Sequence, residues 1–387
     1  MGDARTADYK LAAPLAARLA SLAQAASALV RDNSQFLQRG PRRAREHKTM
    51  AIHWFPGHMN STRNAINDRM KAGLDVVIEM LDARCPGSSA NPLLAQLTQG
   101  KPTLKLLNKQ DIADPERTAL WLAHYNALPD TRAIGLDASV KAPAQALIKA
   151  CRELAPLRGG MVKPVRVLIC GIPNVGKSTL INTLLSKRAA KTGDEPGITK
   201  VEQKLVLEND FYLFDTPGML WPRIAVEESG YNLAASGAIG RNAFDEEEVA
   251  LELIAYLRDN YAGLIEARYK LSDIAGLGDE ELLTAIGKKR GAMLSGGRVN
   301  LQKAAEVLIY EFRQNILGRI TLETPEEFLR WQAAADLIEA ERKAKAGKGK
   351  KKKAKQPSRD AQGTEEVSEA DEAFSEEADA EAEHKPD

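Results

Sequence analysis

The sequence predicts an α/β domain followed by an all-helical domain. Up to about residue 215, short apolar or β-branched runs alternate with segments of helical periodicity, which is typical of a sheet covered by helices. From about Glu246 onward only helical patterns remain, over 246–258, 279–288, 301–316 and 325–343. The last of these begins at Thr324-Pro325-Glu326-Glu327, a capping box with proline at the first helical position.

The strands and helices of the α/β part follow from local patterns. We expect strands over 74–81, 103–107, 133–136, 165–170, 203–207 and 211–214. We expect a helix that ends near Lys71, a helix directly after the glycine-rich segment at 171–176, and others over 91–98, 115–127 and 143–155.

The distribution of charge, cysteine and apolar residues predicts a charged tail, a reducing compartment and no membrane span. The formal net charge is only +1, but residues 342–359 hold ten Lys or Arg and no acid, and residues 360–387 hold twelve Asp or Glu. Such a tail cannot pack a core, so we expect residues 344–387 to be a disordered basic and then acidic tail. The three cysteines lack metal or disulfide spacing, which suits a reducing compartment. No uncharged run approaches about 18 apolar residues, so no membrane span is expected.

Residues 1–49 form an alanine-rich extension before the α/β pattern. Leucines at near-helical spacing predict a weak amphipathic helix, which is followed by the basic run Arg39, Arg42, Arg43, Arg45 and Lys48. An organellar transit peptide is amphipathic and arginine-rich in this way, but Asp3, Asp8 and Asp32 are unusual in one. A transit peptide and a lineage-specific extension both remain open.

One glycine-rich segment follows a strand and opens a helix. It is Gly171-x-x-x-x-Gly176-Lys177-Ser178, the spacing of a phosphate-binding loop. Its glycines let backbone N–H groups point at an anion, and the helix N-terminus adds a positive dipole. We expect Lys177 to reach the terminal phosphates and the Ser178 hydroxyl to bind Mg²⁺. The predicted phosphate-binding residues are Asn174, Val175, Gly176, Lys177, Ser178 and Thr179.

Two earlier strand ends are predicted to bind the base. Guanine presents an N1–H and an amine on one edge, and one carboxylate can accept both hydrogen bonds. Asp111 fits that role at the end of Asn108-Lys109-Gln110-Asp111, where Asn108 supports the loop and the Lys109 stem covers the ring. The candidate second base loop, whose N–H groups would bind the guanine O6, is Ala138, Ser139 and Val140. An ordinary surface turn is the alternative for that loop.

A further motif, Asp215-Thr216-Pro217-Gly218, ends the last strand. It stands at the carboxyl edge of the sheet, where ligands of open α/β folds bind. We expect Asp215 to hold Mg²⁺ and the N–H of Gly218 to contact the γ-phosphate. Thr199, in the connector before these strands, is the expected second hydroxyl for the metal, and an ordinary loop threonine is its alternative.

The order of these motifs is unusual. Both base loops precede the phosphate loop and the two switch segments, whereas the phosphate loop comes first in an ordinary GTPase. A permuted chain keeps the same strands in the same sheet if its old termini lie close together. The sequence therefore predicts a P-loop GTPase domain with circularly permuted motif order over 50–235 and a helical domain over 236–343. Because the segment after Gly218 leads into that helical domain, we expect GTP hydrolysis to reorient it.

The motif set resembles the YlqF/RbgA family of circularly permuted GTPases, together with its mitochondrial ribosome GTPase 1 relatives. The resemblance covers roughly residues 50–335 and includes Trp54-Phe-Pro-Gly-His-Met59, Asp82-Ala-Arg84 and the stretch from Leu317 to Pro325. It implies a GTPase that assists assembly of the large ribosomal subunit, binds a precursor particle and leaves it on hydrolysis. It also implies that GTP and GDP are the ligands and that the C-terminal domain contacts ribosomal RNA.

Catalysis departs from ordinary GTPases at one position. The residue after Asp-x-x-Gly is often a glutamine that orients the attacking water, but here it is Met219, whose thioether cannot hold water. The resemblance implies that His58 takes this role, as a near-neutral imidazole can. A histidine that merely caps a turn is the alternative. We then expect slow intrinsic turnover that a partner stimulates. Asn174 resembles the asparagine that binds a monovalent cation in K⁺-stimulated GTPases, and a loop-supporting role is equally open.

Basic groups in glycine-framed loops of the helical domain could follow RNA phosphates. These loops lie at 287–291 and 296–298. Aromatic residues make up only 5% of the chain, so base stacking is not indicated, and a solvated face is the alternative. The competing function is a GTPase switch that acts on a protein or membrane effector. We expect a monomer in the bacterial cytoplasm, with the mitochondrial matrix as the alternative location.

Overall fold

The computed structural model describes residues 58–137, 144–159, 163–184 and 203–353. The predicted N-terminal extension and the acidic tail lie outside these ranges. Within them the chain forms a six-stranded sheet, helices between the strands, and a helical region after the sheet. Over the same ranges, no helix combines the length and the apolar character that crossing a membrane requires.

The sheet contains the predicted strands. They are β1 (Val76–Asp82), β2 (Thr103–Asn108), β3 (Thr131–Gly135), β4 (Val165–Gly171), β5 (Gln203–Glu208) and β6 (Phe211–Asp215). Their spatial order is β3-β2-β1-β4-β6-β5, and β5 pairs antiparallel with β6 while the other pairs are parallel. All six predicted strands are confirmed, and their ends shift by at most two residues.

Strand β1 lies in the middle of the sheet, and the candidate site lies at its carboxyl end. All seven of its residues are buried, and since neighbouring residues point to opposite faces, both faces of this strand are covered. Asp82 at its end lies opposite Asn108 of β2, and Met80 lies opposite Gly171 of β4. The carboxyl ends of these three strands therefore meet at one edge of the sheet.

The described residues contain five helices within the α/β part. They are α1 (His58–Ala72), α2 (Pro92–Leu97), α3 (Pro115–Asn126), α4 (Ala144–Leu154) and α5 (Lys177–Leu184). Helix α2 begins at Asn91-Pro92 as predicted, because the Asn91 side chain accepts hydrogen bonds from the N–H groups of Leu93 and Leu94.

The helical region begins with a helix that the sequence did not predict. Its helices are α6 (Glu227–Ser236), α7 (Glu246–Tyr269), α8 (Asp279–Lys289), α9 (Leu301–Arg313) and α10 (Pro325–Lys353). The residues of α6 include serine, glycine and asparagine, which are weak helix formers, so its local pattern is poor. Most of α6 is buried, and tertiary packing therefore supplies its stability.

Two other helices run beyond their predicted ends. Helix α7 continues past residue 258 to Tyr269, with an interruption at Tyr261, whose φ is −138°. The Tyr261 hydroxyl donates to the Asp114 carboxylate at 2.9 Å and accepts the N–H of Thr321 at 3.2 Å, and these tertiary bonds account for the interruption. Helix α10 continues past residue 343 to Lys353, through a stretch that contains lysine and alanine, which favour a helix, and also Gly347 and Gly349, which do not.

Residues 317–324, which we call the return segment, bring the chain back from the helices to the sheet. Leu322 N–H donates to the Arg84 carbonyl at 2.7 Å, and the Thr321 hydroxyl donates to the Ala83 carbonyl at 3.0 Å. Ile320 N–H reaches the Ile112 carbonyl at 3.4 Å. The return segment thus lies against the loops that follow β1 and β2.

Glu323, in the return segment, has a fully buried carboxylate. It accepts the N–H of Ser88 at 2.8 Å, the Ser88 hydroxyl, and the side-chain amide of Asn232 at 3.0 Å. Ser88 follows β1 and Asn232 lies in α6, so this carboxylate joins the sheet, the helical region and the return segment. Burial raises the pKa of Glu323 to about 7, although these hydrogen bonds act to lower it.

We expect the fold to lose stability as Glu323 ionises. Its folded-state pKa of about 7 lies above the ordinary 4.5, so its protonated form favours the folded state. That contribution is lost as the pH rises through this interval. Relative to the unchanged chain, Glu323→Gln should therefore gain about 3 kcal/mol of unfolding free energy between pH 4.5 and pH 8. Urea unfolding across this range measures the gain, with the exposed Glu326→Gln as control. A pH-independent difference would contradict the expectation.

Candidate functional site

The phosphate loop connects β4 to α5 as predicted. Gly176 has a φ of +103°, and a Cβ there would lie 2.3 Å from the Asn108 side-chain nitrogen. Gly218 packs against the same loop, since a Cβ there would lie 2.9 Å from the Pro173 Cα. Both positions therefore require glycine, and the motif after β6 lies directly on the phosphate loop.

Lys177 and Asp215 form the buried charged part of this loop. Burial lowers the pKa of Lys177, and the charge of Asp215 acts to raise it. Burial raises the pKa of Asp215, and the charge of Lys177 acts to lower it. In the described part of the chain, neither carboxylate oxygen of Asp215 has a partner within ordinary hydrogen-bond geometry, although the neighbouring Thr216 N–H also acts to lower its pKa. Because such a buried carboxylate is costly, the position suits a cation such as Mg²⁺.

The first base loop touches the phosphate loop. The Asn108 amide donates to the Val175 carbonyl at 2.7 Å, and the Lys109 ammonium donates to the Asn174 carbonyl at 2.9 Å. Lys109 has a left-handed backbone, with a φ of 64°. Two predicted nucleotide-binding segments, far apart in the chain, therefore lie in direct contact.

Asp82 and Arg84 are site residues to which the sequence assigned no role. Asp82 accepts two bonds from the Arg84 guanidinium, at 3.0 and 2.7 Å, and one from the Lys109 ammonium at 2.9 Å. Burial alone would raise the pKa of Asp82, but Arg84 and Lys109 hold it well below its usual value. The position of Asp82 as the last residue of a buried strand, with Arg84 two residues later, was the signal that could have identified them.

Side chains of these loops also hydrogen-bond to helix α6 and to the residue after it. Arg84 donates to the Ser236 carbonyl at 3.0 Å, and the Asn174 amide donates to the Gly237 carbonyl at 2.9 Å. Arg313, from α9, donates to the carbonyls of Ala235 and Ala234 at 2.9 and 2.7 Å. The C-terminal end of α6 is thus held by side chains from the nucleotide loops and from the helical region.

Asp111 lies at the surface beside a small cavity. Its carbonyl accepts a hydrogen bond from Arg319 of the return segment at 2.9 Å. Gln110, Asp111 and Asp137 line this cavity, whose volume is about 430 Å³. Asp137 is the last described residue before the predicted second base loop. Residues Ala138, Ser139 and Val140 themselves lie outside the described residues.

Of the residues considered for catalysis and metal binding, the structure describes Met219 fully, His58 only in its backbone, and Thr199 not at all. Met219 is only 1% exposed, and its N–H donates to the Gly171 carbonyl at 3.1 Å, so its side chain belongs to the core. His58 is the first residue of α1, and the structure describes its backbone but not its side chain. Thr199 lies outside the described residues altogether. Their roles stay predictions.

We expect Gly176→Ala to weaken guanine nucleotide binding by at least about tenfold, since the added Cβ displaces Asn108 and strains a left-handed backbone. Fluorescent GDP titration measures this affinity. Gly100→Ala is the matched control, because Gly100 also has a positive φ, +79°, but no atom lies within 4 Å of an added Cβ. An equal loss of affinity in both variants would show that general destabilisation is the cause.

Comparison with known proteins agrees with this geometry. A family model described as 50S ribosome-binding GTPase matches residues 166–276. Ribosome biogenesis GTPase A of Priestia megaterium is 40% identical over 286 residues, covering 72% of this chain and 98% of that protein. Short integuments 2, mitochondrial, of Arabidopsis thaliana is 34% identical over 223 residues, covering 53% of this chain and 56% of that protein.

A solved structure shows the same architecture. The GDP-bound structure of TM YlqF matches with a TM-score of 0.51 and 26% identity, covering 68% of this chain and 99% of that one. The predicted resemblance and the predicted fold class, including the permuted motif order, are confirmed by these matches. The chain belongs to the ribosome biogenesis GTPase A (YlqF/RbgA) family.

Proposed function

We propose that this GTPase of ribosome biogenesis binds a precursor of the large ribosomal subunit and leaves it after hydrolysing GTP. The observation that carries the proposal is the bond from Asn174 in the phosphate loop to the Gly237 carbonyl at the end of α6. Through this bond, a change around the γ-phosphate would reach the helical region directly. The name of the family model, which refers to binding the 50S ribosome, supports this choice of partner.

We assign the nucleotide contacts by extending the observed loop geometry. Asp111 binds the guanine edge, and the Lys109 stem, held between Asp82 and the phosphate loop, covers the ring. Lys177 and the loop N–H groups bind the phosphates, and Gly218 contacts the γ-phosphate. The remaining assigned contacts are Asn108, Gln110, Ala138, Ser139, Val140, Asn174, Val175, Gly176, Ser178 and Thr179.

Magnesium fits the chemistry of this site. The unpartnered buried carboxylate of Asp215 supports a cation there, and Ser178 and Thr199 would supply hydroxyl ligands. Bound Mg²⁺ would neutralise phosphate charge that develops during transfer. A K⁺ ion at the Asn174 side-chain oxygen is a further proposal, for which the position of Asn174 on the phosphate loop is the support.

We assign the attacking water to His58. The support is that Met219 is buried in the core, so the position that often carries glutamine offers no polar group. A site that lacks this glutamine should turn over slowly on its own and accelerate on its ribosomal partner. We place the protein, as a monomer, in the bacterial cytoplasm, and the mitochondrial name of one relative keeps the organelle as the alternative.

The helical region is the proposed contact with ribosomal RNA. The last turn of α8 exposes Lys288 and Lys289, Arg290 follows directly after the helix, and Arg298 is exposed shortly after it. Arg290 also pairs with Glu311 at 2.7 Å, so it is partly neutralised. Exposed cations at the end of a helix and in the segment after it suit the RNA backbone, because each phosphate contact releases counterions.

Co-sedimentation tests the proposed partner. We expect the full chain to sediment with large-subunit precursor particles in a non-hydrolysable GTP analogue and to dissociate in GDP. Gly176→Ala should need at least about a tenfold higher analogue concentration for the same sedimentation, because we expect it to bind the nucleotide more weakly. Absence from the particles in both nucleotide states would reject the proposal. Sedimentation with lipid vesicles instead would favour the competing effector switch.

His58→Ala should bind GTP normally but lose particle-stimulated hydrolysis by at least about tenfold, since it removes the water-orienting imidazole. Phosphate release with and without particles measures this loss. His124→Ala serves as the control, because that histidine lies on α3 against Trp121, with ring centroids 5.5 Å apart. Full stimulation of His58→Ala would remove His58 from the mechanism.

A further inference from the structure

A polar cleft opens between the nucleotide loops and the helical region. Its volume is about 840 Å³, and its walls come from the loops after β1, β2 and β4, from the connection between α6 and α7, and from α9. Among the described residues that line it there is no carboxylate. The polar side chains that line it include Arg84, Lys109, Asn174, Arg241, Tyr310 and Arg313.

Positive charge predominates around this cleft. Arg84 and Lys109 share the single carboxylate of Asp82. Arg241 lies 3.6 Å from Glu246. The pKa of Glu306 is lowered chiefly by its hydrogen bond from Lys303, and the charge of Arg241 adds to that lowering. Arg313, at the other wall, donates to the neutral carbonyls of α6 described above. The arrangement favours an anionic ligand over a cationic one.

Two exposed side chains at the cleft can bind the phosphate and the base of one RNA nucleotide. The Arg241 side chain is 61% exposed, and an exposed ion pair such as Arg241–Glu246 contributes little, so its guanidinium can exchange that partner for a phosphate. Tyr310 is 53% exposed, and its ring offers a stacking face for a base. One exposed ring suffices for one base, even in a chain with few aromatic residues.

The size of the cleft selects the form of the ligand. Its volume lies within the range of about 300–1,000 Å³ that is usual for small-ligand sites, which is room for one or two nucleotides. A duplex is too wide to enter, and RNA is usually recognised where unpaired bases can be splayed out. The cleft therefore suits a single strand.

We infer that this cleft binds a single-stranded segment of RNA, with a phosphate on Arg241 and a base against Tyr310. The inference rests on the proposed function, because RNA is the partner proposed there. Asn174 and Lys109 both line the cleft; Asn174 belongs to the phosphate loop, and Lys109 donates to its carbonyl. Bound RNA and bound guanine nucleotide would therefore alter each other's affinity by the same factor.

An introduced thiol tests occupancy of the cleft directly. The three cysteines of the chain are buried, so Asn242→Cys adds an accessible thiol at the cleft wall. We expect transcribed large-subunit ribosomal RNA, with a non-hydrolysable GTP analogue, to slow alkylation of this thiol by N-ethylmaleimide about tenfold. Leu157→Cys is the control, because Leu157 is 91% exposed and precedes β4, at the opposite edge of the sheet.

Variants of the two ligand-facing residues give an independent measurement. Arg241→Glu and Tyr310→Ala should each weaken binding of the same RNA about tenfold and leave GDP affinity unchanged. Arg132→Glu is the matched control, since Arg132 is also about half exposed and pairs loosely with a glutamate, at 3.9 Å, but lies on β3. It should bind RNA as the unchanged chain does.

The outcomes separate the cleft from the proposed function. If the unchanged chain binds RNA but the thiol at position 242 stays fully reactive, the cleft inference fails and the ribosomal partner stands. If the unchanged chain binds no RNA at all, both fail. Protection by free adenosine monophosphate but not by RNA would assign the cleft to a free nucleotide and overturn the inference.

Discussion

One buried carboxylate, shared by two cations, holds the nucleotide site together. Asp82 ends the central strand, and it accepts bonds from the guanidinium of Arg84 and the ammonium of Lys109. Burying any one of these charges alone would cost several kcal/mol, so each requires the others. Lys109, fixed in this way, reaches the Asn174 carbonyl, and the neighbouring Asn108 reaches that of Val175. The base loop and the phosphate loop are thus placed relative to each other by a group that need not touch the nucleotide.

Arg84, which pairs with Asp82, also connects the sheet to the helical region and to the return segment. Arg84 contacts α6 through the Ser236 carbonyl, and its own carbonyl accepts the N–H of Leu322 in the return segment. The sequence suggested a helical domain attached through the single connection after Gly218. In the fold, that domain is also bonded to the sheet through α6 and through Glu323. Any nucleotide-driven movement must therefore repack these bonds, which makes a switch between discrete arrangements more natural than a gradual tilt.

Local chemistry decided which parts could be predicted from sequence. The strands, the phosphate loop and the loop ending at Asp111 could be predicted because each forms a short pattern of residues that are adjacent in the sequence. Helix α6 could not, because burial stabilises its weak helix formers. The strand end marked the positions of Asp82 and Arg84, but their contacts could not be predicted, since these involve residues up to 152 positions away. The support of the Asp111 loop by Arg319 is likewise a contact between distant parts of the chain.

The return segment has a consequence for the order in which the protein matures. Its bonds to the loop after β1 join residues 238 and 235 positions apart, such as Thr321 to Ala83 and Glu323 to Ser88. During synthesis the sheet and all its nucleotide motifs emerge first, and domains generally fold as their residues appear. The supports of the Arg84 and Asp111 loops, however, are translated only after α9. A nascent chain can thus complete its sheet while the proposed guanine site still lacks this support, so we expect full nucleotide binding only after the helical region has been made.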